Sequence, residues 1–163
     1  MLRPNDIKNV IVFLLVLFAA PVWCFADIKL DKDGNYVEFT YATMSDGVKI
    51  AVAVGYPKGF DPQDQIQKWP AILEMSGYPQ ASRPVYRGDR YGERYITVSA
   101  SLRGTGASGG AFAAFSERNI KDGYEIIENW IVKQPWSNGK VGIHGHSWSG
   151  ITGFLTIRLL PAT

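Results

Sequence analysis

Residues 140–154 read KVGIHGHSWSGITGF, and this stretch decides the predicted fold. Its first five residues have the length and composition of a short buried strand. From Ile151 onward, apolar residues recur at helical spacing until Pro161 ends the pattern. Between strand and helix lies only GHSWSG, residues 145–150, which is short and rich in small residues. The stretch therefore predicts a strand, a sharp turn and a helix, with Ser147 in the turn.

That turn has the composition of a nucleophile elbow, the strained strand-to-helix turn that presents a reactive serine. The residues two before and two after the serine must be small, because the backbone segments there approach closely. Here they are Gly145 and Ser149, and Gly150 follows where the helix must pack against the strand. We interpret Ser147 as a candidate nucleophile; the alternative is an unrelated serine in a glycine-rich turn.

The histidines of the chain, His144 and His146, both lie close to the candidate nucleophile in sequence. A serine hydroxyl needs a base to become an effective nucleophile. We expect the His146 side chain, as the neighbour of the serine in the turn, to point elsewhere. His144 lies in the predicted strand, where a packed or edge histidine is the simpler interpretation. Neither residue is therefore predicted to be the base.

Upstream of this stretch the pattern of apolar residues is that of a mixed α/β domain. Two alternating runs at 36–43 and 49–56 flank Ser45-Asp46-Gly47 and predict a hairpin. Further strands are predicted at 70–75, 95–102 and 140–144, and helices at 120–133 and from 148 onward. A hairpin followed by alternating strands and helices indicates an α/β fold with a largely parallel sheet. In such sheets function gathers at the carboxyl ends of the strands, here at Tyr78, Arg103 and Ser147.

Composition places the chain among ordinary globular proteins. It has 163 residues, of which 46% are hydrophobic and 13% aromatic, which is too apolar for a disordered chain. The length suits one domain. The formal net charge is only +2 and the basic residues are scattered, so we expect no nucleic-acid partner.

The N-terminus has the organisation of a secretory signal peptide. Arg3 and Lys8 precede an apolar run at 10–20, and a small-x-small site predicts cleavage between Ala26 and Asp27. A membrane anchor is the alternative, but a span needs about 20 apolar residues and a proline ends this run early. We expect residues 1–26 to be removed on export, to the periplasm or the medium, leaving a domain at 27–163 with no membrane span. Its oligomeric state is left open.

One glycine-rich loop, Gly104-Thr-Gly-Ala-Ser-Gly109, matches the dinucleotide-binding pattern G-x-G-x-x-G. That motif requires a helix to begin directly after its last glycine, whereas the next predicted helix begins about ten residues later. The acidic residues that follow, Glu125 and Glu128, lie inside that helix and not at the end of a strand. We therefore interpret the loop as a turn, and expect neither a cofactor nor a metal.

The segment Ser76-Gly77-Tyr78-Pro79 follows the third predicted strand, where α/β folds of this kind supply part of an oxyanion site. Spacing alone favours Tyr78 as a loop aromatic packed near the mouth of the site. Its hydroxyl as a donor to the oxyanion is the alternative.

Several segments together resemble a known family. They resemble, in order, the N-terminal half of the catalytic domain of the cocaine esterase and X-Pro dipeptidyl-peptidase (CocE/NonD) group of serine hydrolases: residues 44–57, 71–79, 102–112 and 121–150. The most specific part is QPWSNGKVG leading into G-x-S-W-x-G.

The resemblance implies the N-terminal portion of an α/β-hydrolase fold and a serine hydrolase that cleaves ester, amide or X-Pro peptide bonds through an acyl-serine. Ser147 matches the nucleophile of the family. Trp148 matches the aromatic residue whose backbone N–H is one oxyanion donor, and Tyr78 matches the tyrosine whose hydroxyl is the other. This chain has Gly77-Tyr78-Pro79 where the family often has Pro-Tyr. Small-molecule esters, amides or peptides are the implied substrates.

The family's catalytic Asp and His follow the serine in that order, and well downstream of it. We therefore expect this chain to be an N-terminal piece that stops after the elbow and its helix, before Asp and His. On its own it is expected to be inactive and poorly soluble, with strand 140–144 as an exposed edge. The alternative is an inactive secreted remnant or a binding module on a hydrolase-like scaffold.

Overall fold

The computed structural model describes residues 28–78, 91 and 93–160. The predicted signal peptide lies outside these residues, and so does most of the segment 81–94, for which no secondary structure is predicted from the sequence. Within the described part of the chain, no helix is both long enough and apolar enough to cross a membrane.

The described residues form one six-stranded sheet with two helices on it. The strands are β1 Lys29–Leu30, β2 Tyr36–Thr43, β3 Lys49–Gly55, β4 Trp69–Ser76, β5 Ile96–Ser101 and β6 Ser137–Ile143. The helices are α1 Glu117–Glu125 and α2 Trp148–Ile157. The spatial order is β1-β2-β3-β5-β4-β6. Strand β4 runs parallel to both β5 and β6, and the other pairings are antiparallel. This confirms the predicted α/β class, with a leading hairpin and a parallel second half.

The β2–β3 hairpin closes as the sequence predicted. At its turn the Gly47 N–H donates to the Met44 carbonyl at 2.9 Å, and the Met44 N–H donates to the Val48 carbonyl at 2.8 Å. Gly47 has φ +81°, a left-handed conformation that costs glycine little. The preceding strand β1 was not predicted, because two residues are too few to show a period.

The first helix differs from the prediction of 120–133 in both its start and its type. It begins at Glu117, because the Ser116 hydroxyl caps it by accepting from the Asn119 N–H. After α1 the chain continues as a π-helical turn, Ile126–Trp130, and a 3₁₀ turn, Ile131–Lys133. In the wide π turn the Ile131 N–H donates to the Ile126 carbonyl, and both isoleucine side chains belong to the buried core.

The core lies between the helices and one face of the sheet. Its largest fully buried apolar side chains lie on the central strands, directly after them, and in the helical segment after α1: Ile50, Val52, Val54, Tyr56, Leu73, Ile96, Val98, Leu102, Ile126 and Ile131. The two helices meet at Gly123, where an added Cβ would lie 2.4 Å from Thr156 Oγ1 and 3.1 Å from Met75 Sδ. Helices α1 and α2 therefore pack together over β4.

Strand β6 is the last strand of the sheet in the described chain, paired there only with β4. Its middle residues, Asn138 to Lys140, are exposed. The outer side of α2 is also open, with Ile151 49%, Phe154 69% and Ile157 52% exposed. Among the described residues β6 therefore lies at the end of the sheet, and an apolar face of α2 lies next to it.

Candidate active site

The carboxyl ends of β4, β5 and β6 meet at one edge of the sheet. The Leu102 N–H donates to the Ser76 carbonyl at 2.9 Å, and the His144 N–H donates to the Leu73 carbonyl at 2.9 Å. These bonds extend the parallel ladders to the last residue before each loop. The loops that begin there carry Tyr78, a glycine-rich segment and Ser147, so the sheet brings three distant parts of the sequence together.

Ser147 occupies the strained turn that the sequence predicted. Its φ of +54° and ψ of −120° are rare for a residue with a side chain. It immediately precedes α2, and its carbonyl accepts the N–H of Ile151 at 3.0 Å, so the helix is anchored on it. The residue is exposed. A serine held in a costly conformation at the tip of a turn is the geometry of a nucleophile elbow.

Small residues make this turn possible. A Cβ on Gly145 would lie 2.3 Å from the Ser149 carbonyl carbon and 2.5 Å from the Gly150 nitrogen, which is backbone and cannot move aside. One turn later, a Cβ on Gly153 would lie 2.6 Å from Ile143 Cγ2. The sequence requirement for small residues at these positions is confirmed, and it extends to a glycine within α2.

The Ser149 side chain ties the two sides of the turn together. Its hydroxyl accepts from the His146 N–H at 3.0 Å. The His146 carbonyl at 3.0 Å and Glu74 Oε1 at 3.2 Å are the acceptors within reach of its single proton. His146 is itself exposed, and the His144 ring lies edge-on to Tyr91 with centroids 5.5 Å apart. The elbow is therefore fixed to the neighbouring strand β4 as well as to its own helix.

Tyr78 and Trp148 lie against each other beside the elbow. Their ring centroids are 5.6 Å apart and the rings are nearly perpendicular, at 79°. Gly77 makes this contact possible, since a Cβ there would lie 3.0 Å from Trp148 Cζ2. The Tyr78 N–H donates to the Ser76 hydroxyl at 3.0 Å, which fixes the loop, while the tyrosine remains 45% exposed. The structure thus brings Tyr78, Ser147 and Trp148 together at the carboxyl ends of the parallel strands.

Ion pairs connect the segment after β5 to the hairpin turn and to α1. Arg103, at the end of β5, donates from Nε to Asp122 at 2.8 Å and pairs through Nη1 with Asp46 at 2.9 Å. These carboxylates raise the pKa of Arg103, against the effect of burial. Glu125 accepts from the N–H and the hydroxyl of Ser45, both at 2.7 Å, and pairs with Arg118 at 3.2 Å.

Burial alone would raise the pKa of Glu125, but its hydrogen bonds from Ser45 and Arg118 outweigh burial and lower it. The network joins the hairpin turn, the end of β5 and α1. The loop at 104–110 that leaves Arg103 forms turns, and α1 begins only at Glu117. This confirms the interpretation of the glycine motif as a turn-forming loop that is not followed directly by a helix.

Comparison with known proteins decides the family. Residues 46–159 match the model of the X-Pro dipeptidyl-peptidase family, S15. The chain belongs to the S15 family. The match begins within the hairpin turn and covers β3, the loop after β4, the glycine-rich loop, the elbow and α2, and therefore the elements that carry the site.

The S15 chain also resembles individual proteins. It is 33% identical over 135 residues to a Mycobacterium bovis protein assigned by name to the serine esterases, covering 72% of this chain and 21% of that protein. It is 25% identical over 147 residues to an Arthroderma benhamiae protein named as a probable dipeptidyl-aminopeptidase B, and this match covers 81% of this chain and 15% of that protein. The chain thus spans about a fifth or less of the length of these relatives.

Solved structures show the same fold. A CocE/NonD family hydrolase from Staphylococcus aureus matches with a TM-score of 0.64 at 24% identity, covering 77% of this chain and 26% of that one. An α-amino acid ester hydrolase matches with a TM-score of 0.63 at 24% identity, covering 77% and 23%. The S15 chain therefore has the α/β-hydrolase fold, described here for part of the domain, and its family indicates an enzyme of the hydrolase type.

The sequence did not single out two aromatic residues of this S15 site, Phe112 and Phe115. Their rings lie 5.6 and 5.8 Å from that of Trp148. The sign in the sequence was two large apolar side chains three residues apart in the segment 109–115, which otherwise contains only glycine and alanine. Because that loop follows a strand at the carboxyl edge, such residues belong near the mouth and not in the core.

Proposed function

We propose that this chain is part of an exported serine hydrolase that cleaves ester, amide or X-Pro peptide bonds through an acyl-serine, with Ser147 as the nucleophile. The observation that carries the proposal is the backbone conformation of Ser147, held by the close approach of Gly145 to residues 149–150. Strain of about 1–3 kcal/mol at one residue persists only where the surrounding structure enforces it. Family membership supports the same chemistry.

In the proposed reaction the Ser147 oxygen attacks the scissile carbonyl carbon while its proton passes to a base. The carbonyl oxygen becomes an oxyanion, and the tetrahedral intermediate collapses to an acyl-serine as the protonated alcohol or amine leaves. Water then attacks the acyl carbon with the same base accepting its proton, which releases the acid and restores the hydroxyl. Each step requires stabilisation of one negative oxygen.

Two groups of this chain are proposed to bind that oxyanion. Trp148 is the first residue of α2, and the first N–H groups of a helix have no partner within the helix. Its backbone N–H therefore remains available beside the nucleophile. Tyr78 lies across from it with its ring against the Trp148 indole, and its hydroxyl is the proposed second donor.

The base and the acid that orients it are proposed to be a His and an Asp that follow this sequence in a longer protein, in the order Ser, Asp, His. The support is the length of the relatives, of which the chain spans about a fifth. Export is proposed from the organisation of residues 1–26.

Trapping the acyl-serine tests the proposal. The protein is purified from its source cells, mixed with p-nitrophenyl acetate, quenched with acid within milliseconds, and digested for mass spectrometry. We expect an acetyl group on the peptide that contains Ser147. Ser147→Ala should abolish it, and Ser137→Ala, at the opposite end of β6, should not. If the protein hydrolyses the ester but its Ser147 peptide carries no acetyl group, the proposal is contradicted. If the protein does not hydrolyse the ester, the alternative of an inactive secreted remnant is favoured.

A further inference from the structure

Strand β6 contains a bulge where it passes Pro70 of strand β4. In the register of the two strands, Pro70 alone lies opposite the three residues Asn138-Gly139-Lys140. Proline has no N–H to give to a ladder, and a bulge releases the extra residues of the longer strand from regular pairing. All three residues of the bulge are exposed. Their main chain is therefore held by contacts within the bulge more than by the sheet.

Two hydrogen bonds between neighbouring residues shape this bulge. Asn138 Oδ1 accepts from the Lys140 N–H at 3.0 Å, which forms an Asx turn. The Ser137 hydroxyl accepts from the Gly139 N–H at 3.1 Å. Gly139 has φ +81°, which favours glycine, and a Cβ built on it would have no atom within 4 Å. The Asn138 side chain is thus folded back along the main chain that follows it, in open surroundings.

The pair Asn138-Gly139 has a chemistry that the other asparagines of the sequence do not share. The side-chain carbonyl carbon of an asparagine can be attacked by the main-chain nitrogen of the next residue. A side chain on that next residue hinders the approach and restricts the rotation of the main chain, whereas glycine does neither. The other asparagines all precede larger residues. Asparagine is accordingly among the thermolabile residues of proteins, and Asn138 is the most susceptible one here.

We propose that Asn138 is a site of spontaneous deamidation, which converts it to aspartate or isoaspartate in the folded protein. The Gly139 nitrogen gives its proton to hydroxide and attacks Asn138 Cγ, and a cyclic imide forms as the side-chain nitrogen leaves as ammonia. Water then opens the imide at either carbonyl, so that one water molecule is consumed for each ammonia released. The Lys140 N–H, already bonded to Asn138 Oδ1, stabilises the negative charge that this oxygen acquires during the attack.

The same bulge sets the rate and accommodates the products. The bond from the Gly139 N–H to the Ser137 hydroxyl restrains the reaction, because the attack requires that N–H to be released. Aspartate retains the Asx turn, since a carboxylate accepts from the Lys140 N–H more strongly than an amide does. Isoaspartate adds one atom to the main chain, at a place that already departs from the ladder. We therefore expect the modified protein to keep its sheet and to carry a new negative charge on β6.

Peptide mapping of the aged protein tests the inference. The full-length protein is incubated in mildly alkaline buffer, digested with trypsin and compared by mass spectrometry with a sample digested without incubation. Residues 134–140 form one tryptic peptide, and deamidation raises its mass by one mass unit. We expect this peptide to accumulate the modification, while the peptide with Asn129, which is exposed but precedes Trp130, remains unchanged. Gly139→Ala should slow the reaction about tenfold, and Ser137→Ala should speed it several-fold.

The free peptide of residues 134–140, incubated beside the protein, is the reference for the unfolded chain. An Asn138 that stays intact in the folded protein while the free peptide deamidates would overturn the inference, because the bulge would then protect the residue. Equal modification of Asn138 and Asn129 would overturn it as well. Circular dichroism before and after incubation verifies that parent and variants are folded, and if Gly139→Ala does not fold, Ser137→Ala decides. The outcome is independent of Ser147, so it neither requires nor tests the proposed function.

Discussion

At the scale of single residues, the site depends on where the backbone can accept a side chain and where it cannot. Ser147 is forced into a left-handed conformation, and Gly145 lies in backbone contact with the first turn of α2. Both features follow from one sharp turn. Each gives a prediction about stability that is independent of catalysis.

Gly145→Ala is expected to destabilise the chain by about 1–3 kcal/mol, because its Cβ would overlap backbone atoms that cannot move without shifting α2. Gly142→Ala, three residues earlier, is the matched control, since the nearest atoms to its Cβ lie 3.9 Å away. Denaturant unfolding measures both. A Gly145→Ala chain as stable as the Gly142→Ala chain would contradict the close approach.

Ser147→Gly is expected to stabilise the chain by up to about 1 kcal/mol, because glycine relieves a strain that exceeds the entropy it adds to the unfolded chain. Ser147→Ala retains the strain and should have the stability of the parent. The two variants lose the same hydroxyl, so their unfolding midpoints differ by the strain that glycine relieves less the entropy that glycine adds to the unfolded chain. A lower midpoint for Ser147→Gly than for Ser147→Ala would contradict strain of the expected size.

At the scale of secondary structure elements, charge holds the hairpin turn to α1. Glu125, in α1, is only 3% exposed. Its carboxylate accepts a hydrogen bond from Ser45 in the hairpin turn and forms an ion pair with Arg118, which lies two turns earlier in the same helix. Burial by itself would raise the pKa of Glu125, but the hydrogen bonds from Ser45 and Arg118 have the larger combined effect, so the pKa is lowered from its usual 4.5.

A carboxyl group with a lowered folded pKa stabilises the fold above its unfolded pKa, and this contribution is lost as pH falls through the folded value. The free energy of unfolding of the parent should therefore drop between about pH 5 and pH 3 more steeply than that of Glu125→Gln. At pH 7 the variant should be less stable by about 1–3 kcal/mol. Glu117→Gln, an exposed acid on the same helix, should follow the parent curve. Parallel curves for parent and Glu125→Gln would contradict the lowered pKa.

The sequence predicted those strands and helices in which apolar residues recur regularly over enough residues for the period to be recognised. The hairpin and the central strands were correct within about two residues, and the elbow followed from its flanking glycines. The start of α1 was missed because the capping Ser116 lies in a loop without apolar period. The π turn after Glu125 and the short strand β1 depend on tertiary contacts. The packing of Phe112 and Phe115 against Trp148 was missed for the same reason, because nothing local in the sequence shows that these residues meet.

At the scale of the whole molecule, one side of the described sheet remains open. Strand β6 is its last strand, and the neighbouring face of α2 exposes Ile151, Phe154 and Ile157. An open strand edge beside an apolar face favours association between copies. The relatives, several times longer than this chain, support the proposal that further sequence covers this side.

Residues 27–163 produced alone are therefore expected to self-associate in a concentration-dependent manner, measured by sedimentation velocity. Phe154→Lys should reduce the association, because it places a charge in the centre of the apolar face. Ile66→Lys is the control, since Ile66 is 90% exposed and lies in the loop between β3 and β4 instead of in α2. A parent chain that sediments as a monomer at every concentration would contradict the proposed open edge.

The most direct test of the account is fluorophosphonate labelling of the exported fraction of the source cells, with the labelled peptide mapped by mass spectrometry. Fluorophosphonates form a stable adduct only on a serine that a functioning base activates. We predict the adduct on Ser147, in a protein much larger than a 163-residue chain. Recovery of the Ser147 peptide without an adduct, under conditions in which other serine hydrolases of the same fraction are labelled, would contradict the account.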